Sequence, residues 1–230
     1  MNLIALETST RLISVALWRD GKITQRSHDQ PNAGSELILP WVRELLAESG
    51  IALSGLDGIA FGSGPGGFTG LRLACGVAQG LAFGSDLPVV GVGSLEALAL
   101  ASGERQVYAC VDARMNEVYS ATFQTIDGLP VEMLAPAVTP PAFAPLPGGL
   151  DWVGCGDGFA AYDLLLRERL ENYLASVRPE VMPTAAAVAT LAAPRFARGE
   201  GTAAMHAAPL YVRDKVAFTT AERLARGGAK

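Results

Sequence analysis

Histidine is almost missing from this sequence: His28 and His206 are the only two in 230 residues. A His-based metal site or proton relay has little to be built from. Cysteine is nearly as scarce. Cys75, Cys110 and Cys155 are odd in number and widely spaced, so neither a disulfide framework nor a CxxC metal knuckle is indicated, and buried, reduced thiols in a cytoplasmic protein are expected. Charge is low as well, at 18% of residues, and 23 acids against 18 bases leave a net −5 with a pI near 5.1. That balance gives no chain-wide electrostatic footprint for nucleic acid. The opening Met1–Glu7 lacks a basic n-region, so no signal peptide is expected. The most apolar stretch, Leu87–Ala101, is interrupted by Pro88, Gly91, Gly93 and Glu96 and does not read as a membrane span. No GxSxG elbow and no HExxH occurs, which leaves serine-hydrolase and zinc-protease chemistry without parts.

What is present is apolar. Half of the residues are hydrophobic and the mean hydropathy is +0.27, enough to bury a sizeable core in one large domain or two small ones. Asn2–Leu6, Leu12–Trp18 and Lys22–Ser27 read as strands, the last two joined by an Asp20-Gly21 hairpin turn. After the Pro31–Ser35 loop, with Ser35 as N-cap, Ile38, Val42, Leu45 and Leu46 recur at helical spacing. Gly58–Phe61 is a strand, Thr69–Phe83 a helix and Val89–Val92 a strand. The second half repeats the order. Val107–Val111, Glu117–Phe123 and Val131–Leu134 read as strands around an Asp127-Gly128 turn. A Pro-rich Pro136–Pro147 segment stands where the first helix is expected. Trp152–Gly154 reads as strand, Gly158–Leu174 and Ala185–Ala193 as helices. Glu7 and Asp112 end equivalent strands 105 positions apart. A twice-repeated βββαβα unit predicts an α/β protein of the actin-like ATPase (ASKHA) architecture, with subdomains 1–102 and 103–230 and a C-terminal segment packing back on the first.

Three features could carry chemistry. Gly62, Gly64 and Gly67 fit GxGxxG between a strand and a helix. The unit is fourth rather than first among the strands, however, and Asp86 ends a helix instead of a strand, against a Rossmann site. Phe68 stands where a Walker lysine belongs. The loop, with Gly64, Gly66, Gly67 and Thr69, reads either as a tight helix–strand approach or as a phosphate or carboxylate cradle. Next, Gly70, Ala74, Gly76, Ala78, Gly80 and Ala82 give the following helix a surface of small residues. Interior glycines cost about 1 kcal/mol each against alanine, so something must pack close, within the chain or from another one. Finally, Glu7 and Asp112 could face each other across a cleft as an acid pair, or simply bond their own turns.

Several blocks resemble a known family. Ile4–Thr10, Gly64-Pro65-Gly66-Gly67-Phe68-Thr69-Gly70-Leu71-Arg72, Val92–Ala99, Asp112-Ala113-Arg114-Met115-Asn116-Glu117-Val118-Tyr119 and Pro209–Arg213 are similar, in order, to blocks of the bacterial TsaB (formerly YeaZ) family. Glu7 stands where that family usually has Asp, Gly67 replaces the serine of GPGSFTGxR, and Gly34 stands where a histidine is frequent. The resemblance implies a non-catalytic, partner-activating subunit in the synthesis of tRNA threonylcarbamoyladenosine next to the anticodon. It would heterodimerise with the paralogous transferase TsaD, be joined by the ATPase TsaE, and meet tRNA through the complex. No cofactor and no metal is implied: Ser94 and Leu98 align with the HxxxH metal ligands of TsaD. The family's TsaD-facing surface corresponds to the helices near Ser35–Glu48 and Thr69–Phe83, which assigns the interface to Ile38, Val42, Leu45, Ala74, Val77, Ala78 and Leu81. Homodimerisation is a competing use of that surface. The alternative is an ASKHA-type ATPase or phosphotransferase acting alone through Glu7, Asp112 and the glycine loop. A metallopeptidase ranks last.

Overall fold

The computed structural model describes residues 1–29 and 35–213. The loop reading of Pro31–Gly34, and with it the Gly34 departure, lies outside the described residues; Ser35 opens the first helix. Strands β1 (Asn2–Glu7), β2 (Leu12–Arg19) and β3 (Lys22–Asp29) form an antiparallel meander, and β4 (Gly58–Gly64) and β5 (Val89–Gly93) add in parallel on the other side of β1. The second sheet has β6 (Gln106–Arg114), β7 (Glu117–Ile126) and β8 (Leu129–Thr139) as its meander, with β9 (Trp152–Cys155) and β10 (Leu174–Arg178) in parallel. The orders β3-β2-β1-β4-β5 and β8-β7-β6-β9-β10 are the same topology twice. The chain is an α/β protein of the actin-like ATPase (ASKHA) architecture. Both Asp-Gly turns hold positive φ at each residue, 47° and 86° at Asp20-Gly21 and 51° and 80° at Asp127-Gly128, as a two-residue hairpin loop requires.

Side-chain alternation sorts the layers. Ile4 and Leu6 of β1 and Ile59 and Phe61 of β4 face α1 (Ser35–Ser49) and α2 (Phe68–Ser85). Their neighbours Ala5 and Ala60 face α6 (Ala185–Ala197), which meets them with Ala185, Ala189 and Ala192, small side chains on both sides bringing helix and sheet close. In the second sheet Val107, Ala109 and Val111 pack on α3 (Ser94–Ser102), while Tyr108 and Cys110 face α4 (Gly158–Ala161) and α5 (Asp163–Leu170). The strands divide at Gly103, five on each side. The helices cross that cut, because α3 covers the second sheet and α6 the first. Arg195 of α6 grips Glu96 of α3 through both carboxylate oxygens at 2.7 and 2.8 Å, an ion pair sheltered between the sheets.

The segment reading needs three corrections. The helix expected over Gly158–Leu174 breaks at Tyr162 (φ −133°), and Leu174 begins β10, which the periodicity did not reveal. The expected strand Val131–Leu134 runs from Leu129 to Thr139, taking in Pro130 and Pro136. It can do so as an edge strand, where one side of the backbone needs no donors. The helix α3 was not read because it is apolar on nearly every side: Leu95, Ala97, Leu98 and Ala99 are all buried between layers, which erases an amphipathic period.

Candidate functional site

A cleft of about 1260 Å³ opens where the two sheets face each other. Thr8–Arg11 and Pro65–Leu71 line one wall, Val111–Met115 and Asp157 the other, and Leu210–Arg213 crosses between them. The crossing segment is fastened at both ends: Leu210 N–H donates to the Ser63 carbonyl at 2.7 Å, and the Arg213 guanidinium donates to the Ala113 carbonyl at 3.1 Å and to Glu117. Nothing in local periodicity marked this strap, since it has no regular structure of its own.

The glycine loop lies on that wall, and close approach explains its composition. A Cβ at Gly66 would stand 2.6 Å from the Ser9 carbonyl oxygen, and one at Gly70 would overlap the Thr8 carbonyl. Gly67 N–H donates to Ser9 O at 2.7 Å, and Thr8 Oγ1 donates to Gly70 O at 2.7 Å. Gly64 adopts φ 110°, a left-handed conformation that favours glycine, and its N–H donates to Ser94 Oγ at 3.2 Å. Two of the loop's N–H groups are thus taken within the chain. Thr69 is exposed on the cleft wall at the first turn of α2.

Glu7 does not face the cleft. It is fully buried, accepts the Ser9 N–H at 2.6 Å and the Ser94 hydroxyl at 3.0 Å, and closes onto Gly62. Burial raises its pKa from the ordinary 4.5, with bonds from Ser9, Ser94 and Thr8 opposing the rise. A carboxyl that binds its proton more tightly folded than unfolded contributes its stability below about pH 4.5 and loses it as pH rises toward the folded value. Glu7→Gln removes that ionisation and keeps the acceptor for Ser9. We expect the stability of Glu7→Gln relative to wild type to improve as the pH rises above about 4.5 in parallel urea unfolding curves, and a constant difference would contradict this placement.

On the opposite wall Asp112 accepts from Tyr162 Oη at 3.1 Å and from Arg114 N–H at 2.8 Å, and the Asp112 N–H donates to Asp157 at 3.0 Å. Burial, reinforced by the Asp112 charge against bonding to its N–H, raises the pKa of Asp157. Asp112 is therefore joined to Asp157 on its own wall of the cleft and does not pair with Glu7 across it. Asp157 went unnoticed because only the fold brings it to the end of β6.

The helices assigned to a partner surface divide by face. Ile38, Val42, Leu45, Ala74 and Ala78 are at most 2% exposed and belong to the chain's own core against the first sheet. In this structure those five side chains are turned to the first sheet and not outward. Val77 and Leu81 are partly buried at its margin. The outward face of α2 is Arg72, Gly76, Gly80, Phe83 and Gly84, with Phe83 83% exposed. At Gly76, Gly80 and Gly84 an added Cβ would meet no atom within 4 Å among the described residues. The alanines Ala74, Ala78 and Ala82 pack inward, and the glycines two positions on form a bare outward ridge.

The family described as TsaD, tRNA N6-adenosine threonylcarbamoyltransferase, matches residues 30–220. The tRNA threonylcarbamoyladenosine biosynthesis protein TsaB of Escherichia coli is 36% identical over 228 residues, covering 95% of this chain and 97% of that protein. The chain belongs to the TsaB (YeaZ) family. The TsaB protein of Haemophilus influenzae is 48% identical over 123 residues, 52% of each chain. Among solved structures, YeaZ from Pseudomonas aeruginosa is 40% identical with a TM-score of 0.84, covering 91% of this chain and 99% of that one. The chain is accordingly a member of a family of tRNA threonylcarbamoyladenosine biosynthesis proteins. Ser94 bonds Glu7, and Leu98 is buried in the core beside the second sheet. No helix among the described residues is long and apolar enough to cross a membrane.

Proposed function

We propose that this chain is the non-catalytic, partner-activating subunit of the complex that makes N6-threonylcarbamoyladenosine beside the anticodon of tRNA, acting in the cytoplasm. It heterodimerises with the transferase TsaD through the outer faces of α1 and α2, TsaE joins the pair, and tRNA is met through the complex. The observation that carries this reading is the bare ridge Gly76–Gly80–Gly84. Nothing among the described residues packs on it, yet each interior glycine costs helix stability, and a second helix laid there can approach at short range. The contact set becomes Gly76, Val77, Gly80, Leu81 and Phe83 of α2 with exposed Leu39 of α1. A helix-pair contact of this kind belongs with standard interfaces of about 1,600 Å². The same ridge serves a homodimer when TsaD is absent.

An ATPase acting alone would need its acids in the cleft. Glu7 is buried away from it and held by Ser9 and Ser94, which favours the subunit reading. The test is threonylcarbamoyl transfer to tRNA by TsaD and TsaE with and without the chain, beside ATP hydrolysis by the chain alone. Modification that requires the chain, with no turnover by the chain itself, is expected. Modification indifferent to the chain, or turnover abolished by Glu7→Gln, would sink the proposal.

A further inference from the structure

Arg72 is the one charged residue of α2. It lies four residues before Gly76 and eight before Gly80, on the same outward stripe and about 12 Å along the axis from Gly80. Its side chain is exposed but not loose. The guanidinium sits 3.7 Å from the centroid of the Phe68 ring, and its Nε donates to Tyr211 Oη at 3.2 Å. Phe68 and Tyr211 in turn pack together, centroids 5.9 Å apart. The strap across the cleft therefore orders this arginine. Ordering a long charged side chain costs conformational entropy, which is recovered when a ligand meets a pre-arranged guanidinium. Among the described residues Arg72 takes part in no ion pair. The N-terminus of α2 is also unneutralised, with no acid in its first turn and no side-chain cap at Gly67. That end carries the positive pole of the helix dipole. Two independent features at one end of the glycine ridge thus call for negative charge.

We infer that Arg72, positioned by Phe68 and Tyr211, is the charged anchor of the α2 docking face and receives a carboxylate from the helix of TsaD that lies along the ridge. This rests on the reading that the ridge is the TsaD-binding face. The anchor fixes the direction of the docked helix, because the acid must lie about two turns from the crossing at Gly80. Tyr211 is a positioning residue.

The test is titration of TsaD with the full chain, as wild type, Arg72→Gln, Arg72→Lys, Tyr211→Phe and Gly80→Leu, at about 0.05 and 0.5 M salt. Arg72→Gln should weaken binding about thirtyfold at low salt and flatten the salt dependence that wild type shows. Arg72→Lys, which keeps the charge without the planar fork, should recover part of the loss. Tyr211→Phe should weaken binding by a smaller factor while keeping the salt dependence. If Gly80→Leu abolishes binding while Arg72→Gln binds like wild type with the same salt dependence, the anchor is overturned and the ridge stands. Should Gly80→Leu bind like wild type, the ridge itself fails, and the anchor with it.

Discussion

Alanine at both Gly76 and Gly80 is expected to make the isolated chain more stable, by about 2 kcal/mol, and its complex with TsaD weaker. Both sites lie inside α2, and a methyl group there meets no atom within 4 Å among the described residues. The helix gains the restricted backbone of alanine without a clash. For a chain of this length the melting temperature should rise by about 4–8 °C. The gain in the monomer and the loss in the complex have one cause, since each methyl holds a docked helix away from the α2 backbone. Scanning calorimetry of the free chain and titration with TsaD read the two halves separately. An unchanged or lowered melting temperature would mean that the ridge is occupied within the chain.

The opposite sign is expected six residues earlier. A Cβ at Gly70 overlaps the Thr8 carbonyl oxygen, which is backbone and cannot swing aside. The same turn is tied to α2 by Thr8 Oγ1 to Gly70 O and by Gly67 N–H to Ser9 O. Gly70→Ala must push the first turn of α2 off the β1–β2 connection and strain both bonds. A loss of about 3 kcal/mol follows, at the upper end of overpacking costs, or about 6–12 °C in melting temperature. Denaturant unfolding of Gly70→Ala beside Gly76→Ala checks this, and equal midpoints for the two variants would contradict the assignment of faces. A charge at Ala78 belongs with Gly70→Ala: Ala78 is wholly buried, so Ala78→Glu would strand a carboxylate in the core and report on folding instead of docking.

These contrasts locate what was legible in the sequence. Strand alternation, the two Asp-Gly turns and the repeated order of elements were enough for the duplicated sheet topology, because each is set by residues close in sequence. The edge strand Leu174–Arg178 and the buried helix Ser94–Ser102 were not, since neither shows a one-sided pattern. In α2 two series at i, i+4 spacing run in parallel, Ala74-Ala78-Ala82 and Gly76-Gly80-Gly84. Periodicity alone does not say which series faces the sheet; in the structure it is the alanines. A sharper rule was available, because a methyl group is worth keeping against a core and only a close external contact favours its absence. Glu7 was legible as the end of a strand but not as a buried acid, since its partner Ser94 lies 87 residues away.

The most direct test of the account is threonylcarbamoyl transfer by TsaD and TsaE supplemented either with the wild-type chain or with Gly80→Leu. Leucine at this exposed site should leave the chain folded, with a melting temperature at or above that of wild type. The account predicts that the folded Gly80→Leu chain fails to support modification because it no longer docks on TsaD. Full modification with the folded variant would contradict it.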